Sequence, residues 1–311
     1  MIVTVTMNPA IDKTVEIDLL RVGGLNRIQK VEYDAGGKGI NVSKTICELG
    51  GESLATGFLA GNAGRTIEAV LDEKKILHDF IWVEGETRTN TKVIETCGEV
   101  TELNEPGPVI SEEQVEQLLQ KLSVLADEQV LFVLAGSIPK GVGADIYARI
   151  TQLVHEKGAK VLMDADGDLF RLALEAKPDI IKPNHLELKR YISELECKEE
   201  GVDDLFTQAM LLRKKGIQTI AISRGKEGAF FWIGEKKISC PAIPVQAHST
   251  VGAGDAMVAA LSYSWSQQLD EEETVRLCMA TSAGAVTTIG TKPPTREFVE
   301  QLKKKVILKE E

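Results

Sequence analysis

Short apolar runs alternate with amphipathic segments along most of the chain. The runs MIVTVTM, SLATGFLA, QVLFVLAG and AKVLMDAD are apolar almost throughout, which is typical of strands that are buried on both faces. Segments with helical character lie between them, among them GGKGINVSKTICELGG and ADIYARITQLVHEKG. A further helix is predicted from Ser111, which Gln114 follows three residues later in a capping-box pattern. This alternation predicts an α/β fold, with a doubly wound, mainly parallel sheet and helices on both faces.

The pattern changes in the last third of the chain. After residue 184 it predicts a long helical stretch, and then a hairpin formed by IQTIAISRG and GAFFWIG. Two helices are predicted next, beginning near Gly254 and Glu271. The tail TREFVEQLKKKVILKEE has the pattern of a surface helix.

Two segments interrupt the strand–helix alternation. Residues from about 12 to 34 and from about 86 to 104 contain short runs of alternating polarity, such as TVEIDLL and NTKVIETC. Such alternation is typical of strands with one solvated face. We expect the two segments to form one small β-sheet that acts as a lid. The whole chain, residues 1–311, is expected to be a single domain with this lid as a sub-domain.

The charge balance narrows the possible partners. The 311 residues carry a formal net charge of −11, so we expect neither nucleic acid nor a membrane surface as a partner. The five cysteines have no CxxC spacing, the N-terminus has no signal-peptide pattern, and no run of about 20 apolar residues is present. We therefore expect a cytoplasmic protein. Any anionic substrate would need cations gathered at its binding site.

The segment TVGAGDAMVAA, residues 250–260, suggests a site for a phosphoryl group. A helix that begins near Gly254 would direct free backbone amides outward, and those amides attract anions. The backbone amides of Gly252, Ala253, Gly254 and Asp255 would then form an anion hole. Asp255 beside it could accept the proton of an attacking hydroxyl, because a carboxylate would repel phosphate. Taken alone, Asp255 could equally be an acidic residue that stabilises the first turn of a helix.

Four segments resemble, in order, the signature motifs of the ribokinase-like (PfkB) family of sugar kinases. They are AGGKGINVSKTICELG at 35–50, KPNHLE at 182–187, SRGKEGAFF at 223–231 and TVGAGD at 250–255. The resemblance implies a ribokinase-like fold, ATP as phosphoryl donor, Mg²⁺ as cofactor and Asp255 as catalytic base. The chain has neither a P-loop pattern nor a dinucleotide fingerprint, so nothing specific supports a P-loop kinase or a nicotinamide dehydrogenase.

The resemblance also implies a sugar site. Asp12 would accept hydrogen bonds from two sugar hydroxyls, and Gly37 and Asn41 would complete the contacts. Asp12 could instead be a surface turn residue, and Asn41 could be a helix cap. Ser137, in LAGSIPKGV, could bind a sugar phosphate or cap the next turn.

Four cations are candidates for a phosphate clamp. Arg88 and Lys92 would project from one face of a lid strand, and Lys38 lies within the glycine-rich segment. Arg27 is expected on a strand of the other lid segment and completes the set. The alternative is a solvated charged face; the position of Lys38 inside a substrate motif favours the clamp.

The nucleotide half of the site is predicted mainly from the motifs KPNHLE and SRGKEGAFF. The resemblance implies that Glu187 holds Mg²⁺ through water, because Mg²⁺ keeps several of its waters. The expected nucleotide-binding residues are Asn184, Glu187, Ser223, Gly225, Gly228, Ser282 and Ala283. Ser282 and Ala283 could simply pack within a helix.

Lys38, TRTNTK and TELNEPGP resemble the branch of the family that phosphorylates fructose 1-phosphate at its 6-hydroxyl. The branch acting on tagatose 6-phosphate is the nearest alternative, and the branch acting on fructose 6-phosphate comes next. A non-catalytic nucleotide or sugar-phosphate sensor is a more distant alternative. The small lid could also pair with its copy in a homodimer.

Overall fold

The structure, a computed structural model, describes residues 1–194 and 204–310. Within these ranges the strands are β1 (Ile2–Thr6), β2 (Ala10–Ile17), β3 (Lys30–Gly36), β4 (Leu54–Ala60), β5 (Leu77–His78), β6 (Ile81–Val83), β7 (Arg88–Glu95), β8 (Val100–Asn104), β9 (Leu131–Ala135), β10 (Lys160–Asp164), β11 (Ile180–Ile181), β12 (Thr219–Ser223), β13 (Ala229–Ile233), β14 (Lys236–Cys240) and β15 (Lys309–Glu310). The α-helices are α1 (Lys38–Glu48), α2 (Gly61–Glu73), α3 (Glu112–Leu125), α4 (Ile146–His155), α5 (Gly167–Glu175), α6 (His185–Glu194), α7 (Leu205–Lys214), α8 (Ala253–Gln267), α9 (Glu271–Ala285) and α10 (Arg296–Lys303).

The main sheet has a parallel centre and an antiparallel edge. Its order is β15-β14-β13-β12-β11-β10-β9-β1-β4-β5, and β6 also pairs with β4. All pairs from β12 to β5 are parallel, whereas β12, β13, β14 and β15 pair antiparallel. The predicted hairpin is β12–β13, and the mainly parallel sheet is confirmed.

Helices cover both faces of this sheet, as predicted. Successive side chains of a strand point to opposite faces. Val3 and Val5 of β1 belong to a core formed with α3–α7, whereas Ile2 belongs to a second core formed with α1, α8, α9 and α10. The capping box is also present: the Ser111 hydroxyl accepts from the Gln114 amide, and the Gln114 side chain accepts from the Ser111 amide.

The small sheet has the order β3-β2-β7-β8 and combines the two interrupting segments. Strands β2 and β7 run parallel, and their register places Asp12 opposite Asn90. A separate sheet built from two distant segments is therefore confirmed. It stands at the end of β1, because β2 follows that strand after only three residues.

Three details differ from the sequence-based expectations. The tail forms a helix only over α10, whose Val299 and Leu302 are buried, and its last residues add β15 to the sheet. The long helical stretch after residue 184 is two helices, α6 and α7, and the part over 195–203 lies outside the described residues. Arg27 lies in the β2–β3 loop rather than in a strand, because Asn26 closes a turn there through hydrogen bonds with Arg21 and Gly24. Across the described ranges, no helix combines the length and apolar character that a membrane span requires.

Candidate active site

A cavity of about 1000 Å³ opens at the carboxyl ends of the parallel strands, between the main sheet and the small sheet. Ligands of doubly wound folds bind at these strand ends. The candidate site residues that the sequence singled out line this cavity, with one exception. They are Asp12, Gly37, Lys38, Asn41, Arg88, Lys92, Ser137, Asn184, Glu187, Ser223, Gly225, Gly228, Gly252, Ala253, Gly254, Asp255, Ser282 and Ala283. The exception is Arg27, which is exposed in its loop and does not line the cavity of its own chain.

The start of α8 forms the floor of the cavity. Gly252 is its N-cap, with a left-handed backbone (φ 82°, ψ −10°) and no side-chain cap. The helix begins at Ala253, so the amides of Ala253, Gly254 and Asp255 have no acceptor within the helix. Together they offer an anion three converging donors and the positive end of the helix dipole.

Asp255 is buried beside these amides. Its Oδ2 accepts a hydrogen bond from Asn41 Nδ2 at 2.9 Å. Burial raises the pKa of Asp255 to about 6, although the nearby Lys38 and the bond from Asn41 act in the opposite direction. A carboxylate with this pKa is ionised at neutral pH and still basic enough to accept a proton.

A buried carboxylate that the sequence reasoning missed holds two lysines at the centre of the cavity. Asp164, at the end of β10, lies 3.2 Å from Lys38 Nζ through Oδ2 and 3.2 Å from Lys182 Nζ through Oδ1. Burial alone would raise the pKa of Asp164, but Lys182 and Lys38 outweigh it and keep that pKa below its usual value. Asp164 raises the pKa of Lys38, so Lys38 remains charged.

Lys182 reaches the anion hole. A methyl group at Gly254 would lie 3.4 Å from Lys182 Nζ. The sequence reasoning placed neither Asp164 nor Lys182 among the candidate site residues. The signal that could have revealed both residues is their position directly at the carboxyl ends of neighbouring parallel strands.

Asp12 stands at the opposite end of the cavity, on β2. Its Oδ1 accepts from Asn90 Nδ2 at 3.4 Å, and burial raises its pKa while Lys92 and Lys44 oppose the rise. Gly36 permits this position, because a methyl group at Gly36 would lie 2.3 Å from Asp12 Oδ2.

Arg88 and Lys92 line the cavity from β7 beside Asp12. Arg88 Nη2 donates to the Asn8 carbonyl at 3.1 Å and to Ser137 Oγ at 3.3 Å. Ser137 thus faces the cavity next to the guanidinium. Lys38, Arg88 and Lys92 all line the same cavity.

Several buried polar atoms in this half of the cavity have no hydrogen-bond partner among the residues that the structure describes. They are Thr6 Oγ1, Asn8 Oδ1, Asn41 Oδ1, Asn90 Oδ1 and Arg88 Nε. Unpaired buried donors and acceptors are costly, so a cluster of them beside a cavity favours a polar ligand there over an apolar one.

The other half of the cavity is bounded by α6 and the β12–β13 turn. Asn184 Oδ1 accepts from the amides of Leu186 and Glu187, and Glu187 Oε2 accepts from the Asn184 amide, each at 2.9 Å. Burial raises the pKa of Glu187. The hydrogen bond from the Asn184 amide uses only Oε2, so Oε1 of Glu187 could hold a metal-bound water, an arrangement that suits a cation that takes few carboxylates.

Ser223, Gly225 and Gly228 line the same half, and an apolar strip that the sequence reasoning missed faces them. The strip consists of Ala242, Ile243, Pro244, Val245, Ala247, Met279 and Val286. Ser282 donates to the Ala253 carbonyl at 3.0 Å, so its hydroxyl also fixes the first turn of α8. A slot with apolar walls beside small residues can accept a flat base.

A carboxylate facing helix amides, between a cation-lined end and a glycine-lined end, defines a phosphotransferase site on a doubly wound fold. The comparisons agree with this class. The model of the pfkB family of carbohydrate kinases matches residues 5–297, and the chain belongs to that family.

Curated relatives resemble the chain over nearly its full length. The 1-phosphofructokinase of Vibrio cholerae serotype O1 is 34% identical over 308 residues, which cover 98% of this chain and 95% of the relative. The 1-phosphofructokinase of Bacillus subtilis is 35% identical, with 97% of each chain covered. Among solved structures, phosphofructokinase-2 from Escherichia coli in complex with substrates and products has a TM-score of 0.91, 25% identity and 98% coverage of both chains.

Proposed function

We propose that this protein transfers the γ-phosphoryl group of ATP to the 6-hydroxyl of fructose 1-phosphate, which gives fructose 1,6-bisphosphate and ADP. The observation that carries this proposal is the position of Asp255, buried between the anion hole and the cation-lined half of the cavity. The similarity to 1-phosphofructokinases supports the choice of sugar phosphate.

In this proposal the sugar phosphate occupies the half of the cavity that contains the unpaired polar atoms. Asp12 and Asn41 bind sugar hydroxyls, beside the backbone at Gly37. Lys38, Arg88, Lys92 and Ser137 surround the 1-phosphate, which supplies acceptors for their side-chain donors. Arg and Lys there would offset the net negative charge of the protein.

Asp255 removes the proton of the 6-hydroxyl as that oxygen attacks the γ-phosphorus. Its raised pKa suits a general base, which must be ionised before the reaction and able to hold a proton during it. The amides of residues 253–255 stabilise the charge on the transferred group, and Lys182 lies close enough to assist them.

ATP lies in the other half, with its phosphates near Asn184, Ser223, Gly225 and Gly228 and its base near Ser282 and Ala283. The donor set suits Mg²⁺: Glu187 offers the carboxylate oxygen that the bond from the Asn184 amide does not use, and the cation would keep most of its waters. When bound, Mg²⁺ would neutralise the phosphates of ATP.

We further propose that residues 1–311 form one kinase domain and that the small sheet closes over the site as a lid to exclude water. The lid segments expose Leu19, Val22, Leu25, Ile28, Val31, Tyr33, Val100 and Leu103. An exposed apolar patch of this kind fits an interface with a second copy. The proposal is a homodimer through the lid, acting in the cytoplasm where ATP and sugar phosphates are present. Light scattering after gel filtration tests the dimer, and a monomeric mass would contradict it.

The decisive experiment is an ADP-release assay with ATP and Mg²⁺. The acceptors are fructose 1-phosphate, tagatose 6-phosphate, fructose 6-phosphate and free fructose, compared by kcat/KM. The highest kcat/KM is expected for fructose 1-phosphate. A preference for tagatose 6-phosphate would overturn the choice of substrate, and no turnover of any acceptor would favour a sensor over a kinase.

A further inference from the structure

Within residues 1–194 and 204–310, the proposed mechanism leaves one buried cation without a role. Lys44 lies on α1, is 4% exposed and does not line the cavity. Its Nζ donates to the Ala35 carbonyl at 2.6 Å and to Thr291 Oγ1 at 3.4 Å. Burying a charge costs free energy. A lysine whose direct partners are only a carbonyl and a hydroxyl therefore destabilises the core relative to an apolar side chain of similar size.

The first partner of Lys44 belongs to the root of the lid, which is the end of β3 at Ala35 and Gly36. Ala35 is near the end of β3, directly before Gly36, and it pairs with Ile11 across the small sheet. Gly36 is the residue that packs against the Asp12 carboxylate. A shift of the Ala35 carbonyl would therefore displace the chain that supports Asp12 and leads to Gly37.

The second partner belongs to the support of the anion hole. A methyl group at Gly252 would lie 3.7 Å from Thr291 Cα, so Thr291 packs directly against the N-cap of α8. The preceding Gly290 packs against the Asp34 carboxylate on β3. The segment that carries Thr291 therefore contacts both the lid strand and the Gly252 turn, and Lys44 lies between them.

We propose that Lys44 is a positioning residue for phosphoryl transfer, whose ammonium ties the root of the lid at Ala35 to Thr291 and thereby to the Gly252 turn. Binding of the sugar phosphate under the lid and ordering of the anion hole then support each other. The acceptor and donor sites are then coupled: each ligand raises the affinity for the other by the same factor. The inference rests on the proposed function only for the identity of the acceptor.

The charge of Lys44 makes this coupling dependent on pH. Burial lowers the pKa of Lys44 to about 8, while Asp34, Asp12 and Asp255 attract the charge and Lys74 repels it. Lys44 is therefore charged at pH 7 and loses its proton as the pH rises through about 8. A neutral amine would hold the two acceptors less strongly.

The test measures the dissociation constant of fructose 1-phosphate by calorimetry, with and without a non-hydrolysable ATP analogue and Mg²⁺. The ratio of the two constants is the coupling, and kcat, KM and Tm are measured in parallel. In Lys44→Met the ratio is expected to approach one, and kcat to fall roughly tenfold to a hundredfold, as for misplaced reacting groups. Its Tm is expected to hold or rise, because a buried charge has been removed.

Three further variants make the result specific. Lys44→Arg keeps the charge and is expected to retain most of the coupling. Because arginine stays protonated, the coupling of this variant is expected to persist at alkaline pH, where that of the wild type falls. Thr291→Val is expected to weaken the coupling, with no further loss in the double variant with Lys44→Met. Lys74→Met removes an exposed lysine near Lys44, and its coupling at pH 7 is expected to match that of the wild type.

Three results would overturn the inference: a wild-type ratio of one, an unchanged ratio in Lys44→Met, or a loss of kcat that only follows a loss of Tm. The last result would assign Lys44 a structural role. Failure of the proposed function is separate, because it would appear as absent binding or turnover of fructose 1-phosphate by the wild type. If the wild type prefers another sugar phosphate, the same ratio is measured with that acceptor.

Discussion

Asn41 donates a 2.9 Å hydrogen bond to the carboxylate of Asp255 from a position 214 residues earlier in the chain. The bond joins α1 of the proposed sugar site to α8 of the anion hole. Asn41 stabilises the ionised form of Asp255, and burial stabilises the neutral form. The balance between these two effects sets the pH at which the proposed base becomes active.

The first prediction concerns the acid limb of the pH–rate profile. Because Asp255 must be ionised to accept a proton, kcat/KM is expected to fall as the pH drops through about 6. Asn41→Ala removes a bond to the carboxylate, so this midpoint is expected to move to higher pH. A profile that stays flat well below pH 6 would show that another group is the base.

The second prediction separates catalysis from stability in Asp255→Asn. The variant is expected to lose about 10²- to 10⁴-fold in kcat, the usual contribution of a general base. The raised pKa means that the ionised carboxylate destabilises the native state above pH 6, so the free energy of unfolding at pH 7 is expected to hold or rise, by up to about 3 kcal/mol. Denaturant titration measures it. A large loss of stability together with activity would contradict this account.

The third prediction concerns Asp164, which holds Lys38 and Lys182. Asp164→Asn leaves one nearly buried ammonium without a counter-charge, and the expected loss of stability is about 3 kcal/mol. The lowered pKa of Asp164 means that its stabilising effect is present above its ordinary pKa and is lost as the pH falls below that value. The difference between wild type and variant should therefore shrink in acid. An unchanged Tm at pH 7 would rule out the ion-pair network as a source of stability.

The fourth prediction tests the phosphate clamp. Arg88→Met is expected to raise KM for fructose 1-phosphate roughly tenfold to a hundredfold, the value of one or two charged hydrogen bonds. The activity toward free fructose should change much less, because that acceptor has no phosphate. Lys13→Met is the matched control: Lys13 follows Asp12 on β2, points to the other face and stacks over Tyr33. Equal losses with both acceptors would contradict the clamp.

Much of this architecture could be predicted because it depends on local pattern. The apolar runs, the Ser111 capping box and the glycine-flanked start of α8 each specify their element from a few neighbouring residues. The candidate site residues in the four motifs were predicted from the resemblance of those motifs to a known family, and they line one cavity. The placement of these residues around one cavity then followed from the parallel sheet.

What the sequence could not reveal depends on contacts between distant elements. Strand-end position could have placed Asp164 and Lys182 near each other, but nothing near Asp164 indicates that Lys38, 126 residues earlier, will reach it. The placement of Arg27 was wrong for a related reason. The turn closed by Asn26 ends the alternating pattern, so the charge lies in an exposed loop.

The last prediction concerns the Gly252 turn. An alanine there meets nothing closer than 3.7 Å, so the cost of Gly252→Ala comes from the left-handed backbone at φ 82° and is expected to be about 1 to 2 kcal/mol. Relaxation of that strain would rotate the amides of the anion hole, and kcat is expected to fall at least about tenfold.

Gly98 is the matched control for this change. It has φ 89° in the β7–β8 hairpin, and no atom lies within 4 Å of the position of an added methyl group. Gly98→Ala should therefore cost a similar free energy of unfolding while kcat stays at the wild-type value. If both variants lose the same stability and only Gly252→Ala loses kcat, the turn acts through the geometry of the amides. If the two variants lose kcat equally, the effect of Gly252→Ala reflects general destabilisation, and the anion hole does not depend on this glycine.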